Sequence, residues 1–311
     1  MFFYHRLLSI LRRYLSPVCR PIQSVAAAIE YRLLDIWWAL KGFRKPSADD
    51  AAFVRENVTF MFKSFERQRQ ARALVRSISQ FYPETRIVIA DDSSKPLEIP
   101  GRAGDDKRDA GDDKGLAGDD KLKIIQMPFN LGLSRGLNLA LAEVKTPFLM
   151  RMDDDELLTR RVNLAEELRF FQSHPEVDLI GIPPMDALKF RSLKKSIRPY
   201  FGFPMKEAPL PLKVPHGVRL DDRHVVLGKV PNIFLARTDS IRKVGWDDNI
   251  RMIDHHDFFY RAAGVIVSVL STDSVVFHNH NFFLPDYNRY RSDWKGDAMY
   301  LHRVRYGRKN H

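Results

Sequence analysis

From residue 57 onward, short apolar runs of strand length alternate with longer helical stretches, and this alternation limits the folds open to the chain. NVTFMF (57–62), RIVIA (86–90), LKIIQM (122–127), TPFLMRM (146–152) and VDLIGIP (177–183) read as strands. ERQRQARALVRSISQFY (66–82), GLSRGLNLALAEV (132–144) and RVNLAEELRFFQSH (161–174) carry a helical period between them. Such alternation predicts an α/β fold with a mostly parallel central sheet and helices on both faces. Further on, KVPNIFLAR (229–237), VIVSVL (265–270) and SVVFHNH (274–280) read as strands. TDSIRKVG (238–245) and DHHDFFYRAAG (254–264) read as helices, and the Pro-, Gly- and Lys/Arg-rich stretch 195–228 as long loops.

Ligands of such sheets bind beyond the carboxyl ends of the strands. Two acidic clusters fall at such ends: Asp91-Asp92 and Asp153-Asp154-Asp155. Three adjacent carboxylates repel one another, so a positive group must hold the second cluster. Aspartate pairs also occur in 103–121, where AGDDK recurs three times at a step of seven. Glycine in every unit and no periodic apolar face make 101–121 a mobile insertion between two strands. A calcium loop needs more varied oxygen ligands at a longer spacing.

The chain has 311 residues, 44% of them hydrophobic, enough for a substantial core. Its one cysteine, Cys19, excludes an internal disulfide. The net charge of +11 is concentrated at the ends. Residues 1–45 hold eight Lys/Arg against two acids, and 286–311 hold seven against three. A nucleic-acid enzyme carries its charge around its site, so nucleic acid is not the expected partner. Basic ends fit an anionic membrane surface instead.

On a helix, Phe3, Leu7, Leu11 and Leu15 share one face of the N-terminal segment, and His5, Arg6, Arg12 and Arg13 the other. Such a helix lies in a membrane interface or docks on its own domain. Trp37 and Trp38, in the apolar stretch 31–43, suit either headgroup depth or a core. No run is long enough to span a bilayer and no signal-peptide cleavage pattern is present. The expectation is a cytoplasmic protein, peripheral at the inner face of a membrane. Its organisation reads as a basic amphipathic segment (1–50), an α/β domain (51–285) and a basic aromatic tail (286–311).

The ordered set of Asp91-Asp92-Ser93-Ser94, NLGLS (130–134), RMDDDE (151–156) and DHHDFF (254–259) resembles the GT-A fold of nucleotide-sugar glycosyltransferases, particularly the family-2-like group. FYPETRIVIADDSSKP, VPNIFLARTDSIRKVGWDD and SVVFHNHNFFLP add a narrower resemblance, to β-1,4-N-acetylgalactosaminyltransferases of the ganglioside GM2 synthase type. The AGDDK insertion is no part of that pattern.

The resemblance implies an inverting transfer of a hexose or hexosamine from UDP-GalNAc, UDP-GlcNAc or UDP-Gal to a hydroxyl of a glycan or glycolipid. Mn²⁺ or Mg²⁺ would neutralise the leaving diphosphate. Asp153 and Asp155 would contact metal and ribose, with His278 as a third metal ligand. Strand alternation would place Asp153 and Asp155 on one side and Asp154 on the other. Asp91 and Asp92 would bind uracil and ribose, and Arg135 the diphosphate. Asp257 would be the general base, with Asp254 in reserve. His280, His255 and His256 are weaker candidates. Two other readings stand beside this one. A sugar nucleotidyltransferase would want a Gly-rich loop after the first strand, where the chain reads TFMFKSFERQRQ. A non-catalytic membrane adaptor would use only the basic ends.

Overall fold

The computed structural model describes residues 2–100, 121–189, 193–281, 283–291 and 294–306. The AGDDK repeat therefore lies outside the described residues. So do the side chains on which the expected faces of residues 3–13 rest.

The elements follow the chain as α1 (Phe2–Leu40), α2 (Ala48–Asn57), β1 (Val58–Ser64), α3 (Gln68–Phe81), β2 (Arg86–Asp91), β3 (Leu122–Gln126), α4 (Leu133–Glu143), β4 (Phe148–Arg151), β5 (Glu156–Leu157), α5 (Leu164–Ser173), β6 (Leu179–Gly181) and β7 (Pro184–Asp186). Then come α6 (Leu193–Ile197), β8 (His224–Val226), β9 (Phe234–Arg237), α7 (Thr238–Val244), α8 (Asp254–Ala262), β10 (Ser268–Ser271), β11 (Val276–His278), α9 (Pro285–Arg291) and α10 (Lys295–Leu301).

The main sheet has eight strands in the order β3-β2-β1-β4-β9-β6-β10-β8. Only β9 and β8 run against the others, so the expected mostly parallel sheet is present. Pleating sends Phe60 and Phe62 of β1 to one face and Met61 to the other. The first face packs against Leu74 and Ile78 of α3 and Leu168 and Phe171 of α5. The second packs against Leu137 and Leu141 of α4, Ile241 of α7 and Phe258 of α8. Burial of Ala71, Leu74, Val75 and Ile78 follows the i, i+3, i+4, i+7 spacing read from the sequence.

Three features differ from the expectation. Within 195–228 the chain forms the end of α6, a 3-10 turn at Arg198–Gly202 and the edge strand β8. Strand β11 leaves the main sheet and lies between β5 and β7 in a second, three-stranded sheet. And α1 is one continuous helix of 39 residues, although Pro17 and Pro21 each remove a backbone donor. Its inner face, with Ala27, Trp38, Tyr31 and Leu34, covers Leu157, Met185 and Phe277 of the small sheet. Tyr31 Oη donates to Leu158 O at 2.7 Å, and Arg160 pairs with Asp35 at 2.7 Å.

Gly181 ends β6 where the segment entering β9 crosses it. A Cβ there would stand 2.5 Å from Val230 Cβ and 2.9 Å from Pro231 Cδ. Gly181→Ala should cost about 1–3 kcal/mol, read as a lowered urea midpoint. An unchanged midpoint would show that this crossing is not tightly packed.

Candidate active site

A cleft of about 750 Å³ opens beyond the carboxyl ends of β1 and β4. Its walls come from the β1–α3 loop, the turn after β4, the start of α8, the end of β11 and the segment leading into α9. Lys63, Arg67, Lys189, Lys229 and Arg251 line it, facing Asp153, Asp154, Asp155, Glu156, Asp186 and Asp254. This mixture of both signs suits a polar, charged ligand better than an apolar one.

The positive partner of the triplet is Arg67. Strand β4 stops at Arg151 and the chain turns through residues 154 and 155 before entering β5. Strand alternation therefore does not extend over the triplet, and Asp154 is not separated from Asp155. Arg67 forms a two-pronged ion pair with Asp154 and a further one with Asp155, and all three side chains are buried. The Arg67 guanidinium also lies over the Tyr287 ring, 4.2 Å from its centre. Asp153 turns away and pairs with the fully buried Arg151 at 2.8 Å. The two carboxylates on Arg67 respond in opposite directions. Burial raises the pKa of Asp154 despite Arg67. Burial also opposes ionisation of Asp155, but Arg67 together with hydrogen bonds from His278 and His280 outweighs it and holds this carboxyl well below the usual range.

Asp155, His278 and His280 offer ligand atoms that all lie within 4.8 Å of one another. His278 Nε2 and His280 Nδ1 each stand 3.5 Å from Asp155 Oδ2. The Nδ1 of His278 donates to Asp186 Oδ1 at 2.7 Å, which turns Nε2 toward Asp155. A carboxylate behind a ligating histidine is the usual outer support of a metal site. One carboxylate and two imidazoles suit a divalent transition metal. The structure thus brings together Asp155 and His278, as expected, but groups them with His280 rather than Asp153. Burial disfavours the charged form of His278, yet Glu156, Asp155 and Asp186 outweigh it and raise its pKa well above the ordinary value. Metal binding must displace that proton.

The two aspartates of α8 take different positions. Asp257 is buried and accepts from Arg261 Nε and Arg305 Nε, both at 2.7 Å, and it is not in the cleft wall. Asp254 lines the cleft and is 3% exposed, and its Oδ2 has no hydrogen-bond partner. Burial raises its pKa to about 6, against the lowering field of Arg151. Beside it, His255 Nε2 lies 2.7 Å from Val230 O, and burial lowers its pKa to about 3, so it is neutral. His256 is partly exposed near Glu207, at 3.4 Å.

Asp91 and Asp92 sit at the end of β2 with no exposed surface. Asp91 accepts from Ser93 Oγ at 2.6 Å and from Leu97 N at 2.9 Å, which closes the following loop. Asp92 pairs with Lys63 and accepts from Gly132 N at 3.0 Å, tying β2 to the start of α4. Gly132 has φ +115°, and a Cβ there would stand 3.2 Å from Arg251 Cγ. Neither aspartate is in the cleft wall. However, Ser93 and Ser94 line an adjoining hollow of about 290 Å³ that shares Arg67 with the cleft. Arg135 points to Asp248 O at 3.1 Å and does not line the cleft. The cation at the mouth of this loop is Arg251, which donates to Asn130 O at 2.8 Å.

Residues 64–220, half of the chain, match the family described as glycosyl transferase family 2, and the chain belongs to that family. It is 31% identical over 234 residues to beta-1,4 N-acetylgalactosaminyltransferase 1 of Homo sapiens, covering 73% of this chain and 40% of that protein. It is 27% identical over 283 residues to beta-1,4 N-acetylgalactosaminyltransferase 2 of Mus musculus, covering 83% of this chain and 48% of that one. The chain thus spans less than half the length of these curated relatives. Among solved structures, S. aureus TarS 1-349 in complex with UDP-GlcNAc is similar at TM-score 0.48 and 12% identity, covering 71% of this chain and 58% of that one. Mannosyltransferase PcManGT from Pyrobaculum calidifontis, in complex with GDP-Man and Mn²⁺, is similar at TM-score 0.49 and 14% identity, covering 90% and 75%.

Removing Arg67 would leave two buried carboxylates facing each other. Arg67→Met should destabilise the fold by roughly 3–5 kcal/mol, measured from urea unfolding. Asp154→Asn should cost much less, because Arg67 keeps Asp155. Equal losses from the two would contradict the pairing described here.

Proposed function

We propose that this chain transfers a hexose or hexosamine from a UDP-sugar to a hydroxyl of a glycan or glycolipid acceptor, with inversion and with a divalent cation. The observation that carries the reading is a shared cleft. A buried carboxylate with one oxygen lacking a hydrogen-bond partner, Asp254 Oδ2, faces the same space as the group Asp155, His278 and His280.

Asp155, His278 and His280 would hold the cation, which when bound neutralises charge on the leaving diphosphate. Arg251 adds fixed positive charge around the same phosphates, while Arg67 and Lys63 are held by carboxylates in the wall. Arg251 takes the part expected of Arg135, since it is the one that borders the cleft. The nucleoside would occupy the hollow beside Ser93 and Ser94. Asp91 would shape that hollow through the loop it closes, and Asp92 would hold Lys63 at the wall of the cleft. On the opposite wall Asp254 would accept the proton of the acceptor hydroxyl as that oxygen attacks the anomeric carbon. The proposal thus moves the base from Asp257 to its neighbour one helical turn earlier. Asp257, bound by Arg261 and Arg305, would hold α8 in place.

Asp254→Asn should lower kcat by about 10²–10⁴-fold with an unchanged melting temperature. Asp257→Asn should lower the melting temperature first. Because burial raises Asp254 to about 6, it is protonated and unable to accept below that pH. Turnover should therefore fall as pH drops through about 6. Full turnover by Asp254→Asn would exclude it as the base.

Chelation should abolish transfer, and Mn²⁺ should restore it. Asp186→Asn, which releases His278, should weaken Mn²⁺ binding by roughly 10–100-fold, measured by calorimetry. Unchanged affinity would remove His278 from the ligand set. Release of pyrophosphate from a nucleoside triphosphate, in place of sugar transfer, would support a nucleotidyltransferase instead.

A further inference from the structure

The outer face of α1 carries a continuous apolar strip that no described residue covers. Val18, Ile22, Val25, Ile29, Leu33 and Ile36 are each more than half exposed, and Leu40, which closes the strip, is 82% exposed. Isolated apolar residues on a surface are ordinary, but an aligned strip marks an interaction site. At 1.5 Å per residue the strip from Val18 to Leu40 is about 33 Å long. The opposite face packs on the domain from Ser16 onward. Besides the contacts with the small sheet, Ser16 Oγ donates to Phe283 O at 3.0 Å and Gln23 Nε2 to His280 O at 2.8 Å.

We infer that α1 lies in the interface of an anionic lipid membrane, with this strip as its buried side. Three observations select that occupant. The first is the spacing. The steps from Val18 to Leu40 are four, three, four, four, three and four, an eleven-residue repeat that averages about 3.67 residues per turn. A strip at that period drifts by only about 40° around an ordinary helix over its whole length, so it stays on one side and suits a flat surface. A left-handed helix pair requires 3.5.

The second observation is charge. Arg32, Lys41, Arg44 and Lys45 are exposed on or just beyond the C-terminal half of the helix. Helix α9, which opens the basic tail and is remote in sequence, packs beside α1. An apolar face bordered by Lys/Arg is the pattern of helices that lie in an anionic interface. The third is the aromatic anchor. Trp37 is half exposed at one end of the strip, at a depth suited to headgroups. No helix among the described residues is long and apolar enough to cross a membrane, so α1 lies along the surface.

Gln23 is hydrogen-bonded to the backbone of His280, which places the cleft about one helix diameter, ~10 Å, from the lipid. The inference does not depend on the chemistry of the cleft.

The full chain should co-sediment with phosphatidylcholine vesicles containing phosphatidylserine and bind phosphatidylcholine vesicles roughly tenfold less. The triple variant Ile22→Glu, Ile29→Glu, Ile36→Glu replaces only exposed side chains. It should lose vesicle binding by at least about tenfold while keeping its melting temperature. A second measurement guards against misfolding of that variant. The Trp37 emission, taken as the difference between the chain and Trp37→Phe, should shift to the blue when phosphatidylserine vesicles are added. Absence of sedimentation, an unshifted Trp37 or undiminished binding by the triple variant would overturn the inference. So would a dimer in solution that the triple variant converts to monomer, because the strip would then belong to a second copy.

Discussion

The site depends on one buried ion cluster, Arg67 with Asp154 and Asp155. Two carboxylates held side by side in a low-dielectric interior repel strongly, and a single guanidinium fork can satisfy both at once. Arg67 lies between β1 and α3, so the cluster joins the first strand to the turn after β4. It fixes Asp155 in its ionised form, and Asp155 in turn receives His278 from the end of the second sheet and His280 from just beyond it. The two sheets thus meet at one carboxylate. Loss of Arg67 would disturb both the fold and the proposed metal site.

The α/β scaffold was legible in the sequence because its strands are buried on both faces and read as unbroken apolar runs. The parallel core from β3 to β4, and the helices α3, α4 and α5, follow the sequence pattern to within a few residues. The short strands β5, β7 and β8 have two or three residues each and no period to detect. The single span of α1 has no clear sequence sign, because Pro17 and Pro21 inside it each remove a helix donor.

The candidate site was legible at the level of strand ends, and less so in the roles of individual residues. The rule that ligands bind at strand ends led to Asp155 and, with the resemblance, to His278. It could not reveal Arg67, which lies in the polar stretch SFERQRQ and is brought to the triplet only by folding. Nor could it separate Asp254 from Asp257. Both acids stand in the first turn of α8, and only the positions of Arg261 and Arg305 commit Asp257 to the scaffold. Arg305 is distant in sequence and carries no motif. Asp91 and Asp92 show a related ambiguity. Acids at a strand end serve a ligand or close a loop with the same local sequence, and here the described contacts are of the second kind.

The account rests on a nucleotide diphosphate and a divalent cation sharing the cleft beside Asp155. Calorimetric titration of UDP into the full chain tests that directly. UDP should bind measurably with Mn²⁺ present, at least about tenfold more weakly without it, and not in the Mn²⁺-dependent mode to Asp155→Asn. Equal binding with and without Mn²⁺, or no binding in either condition, would contradict the account.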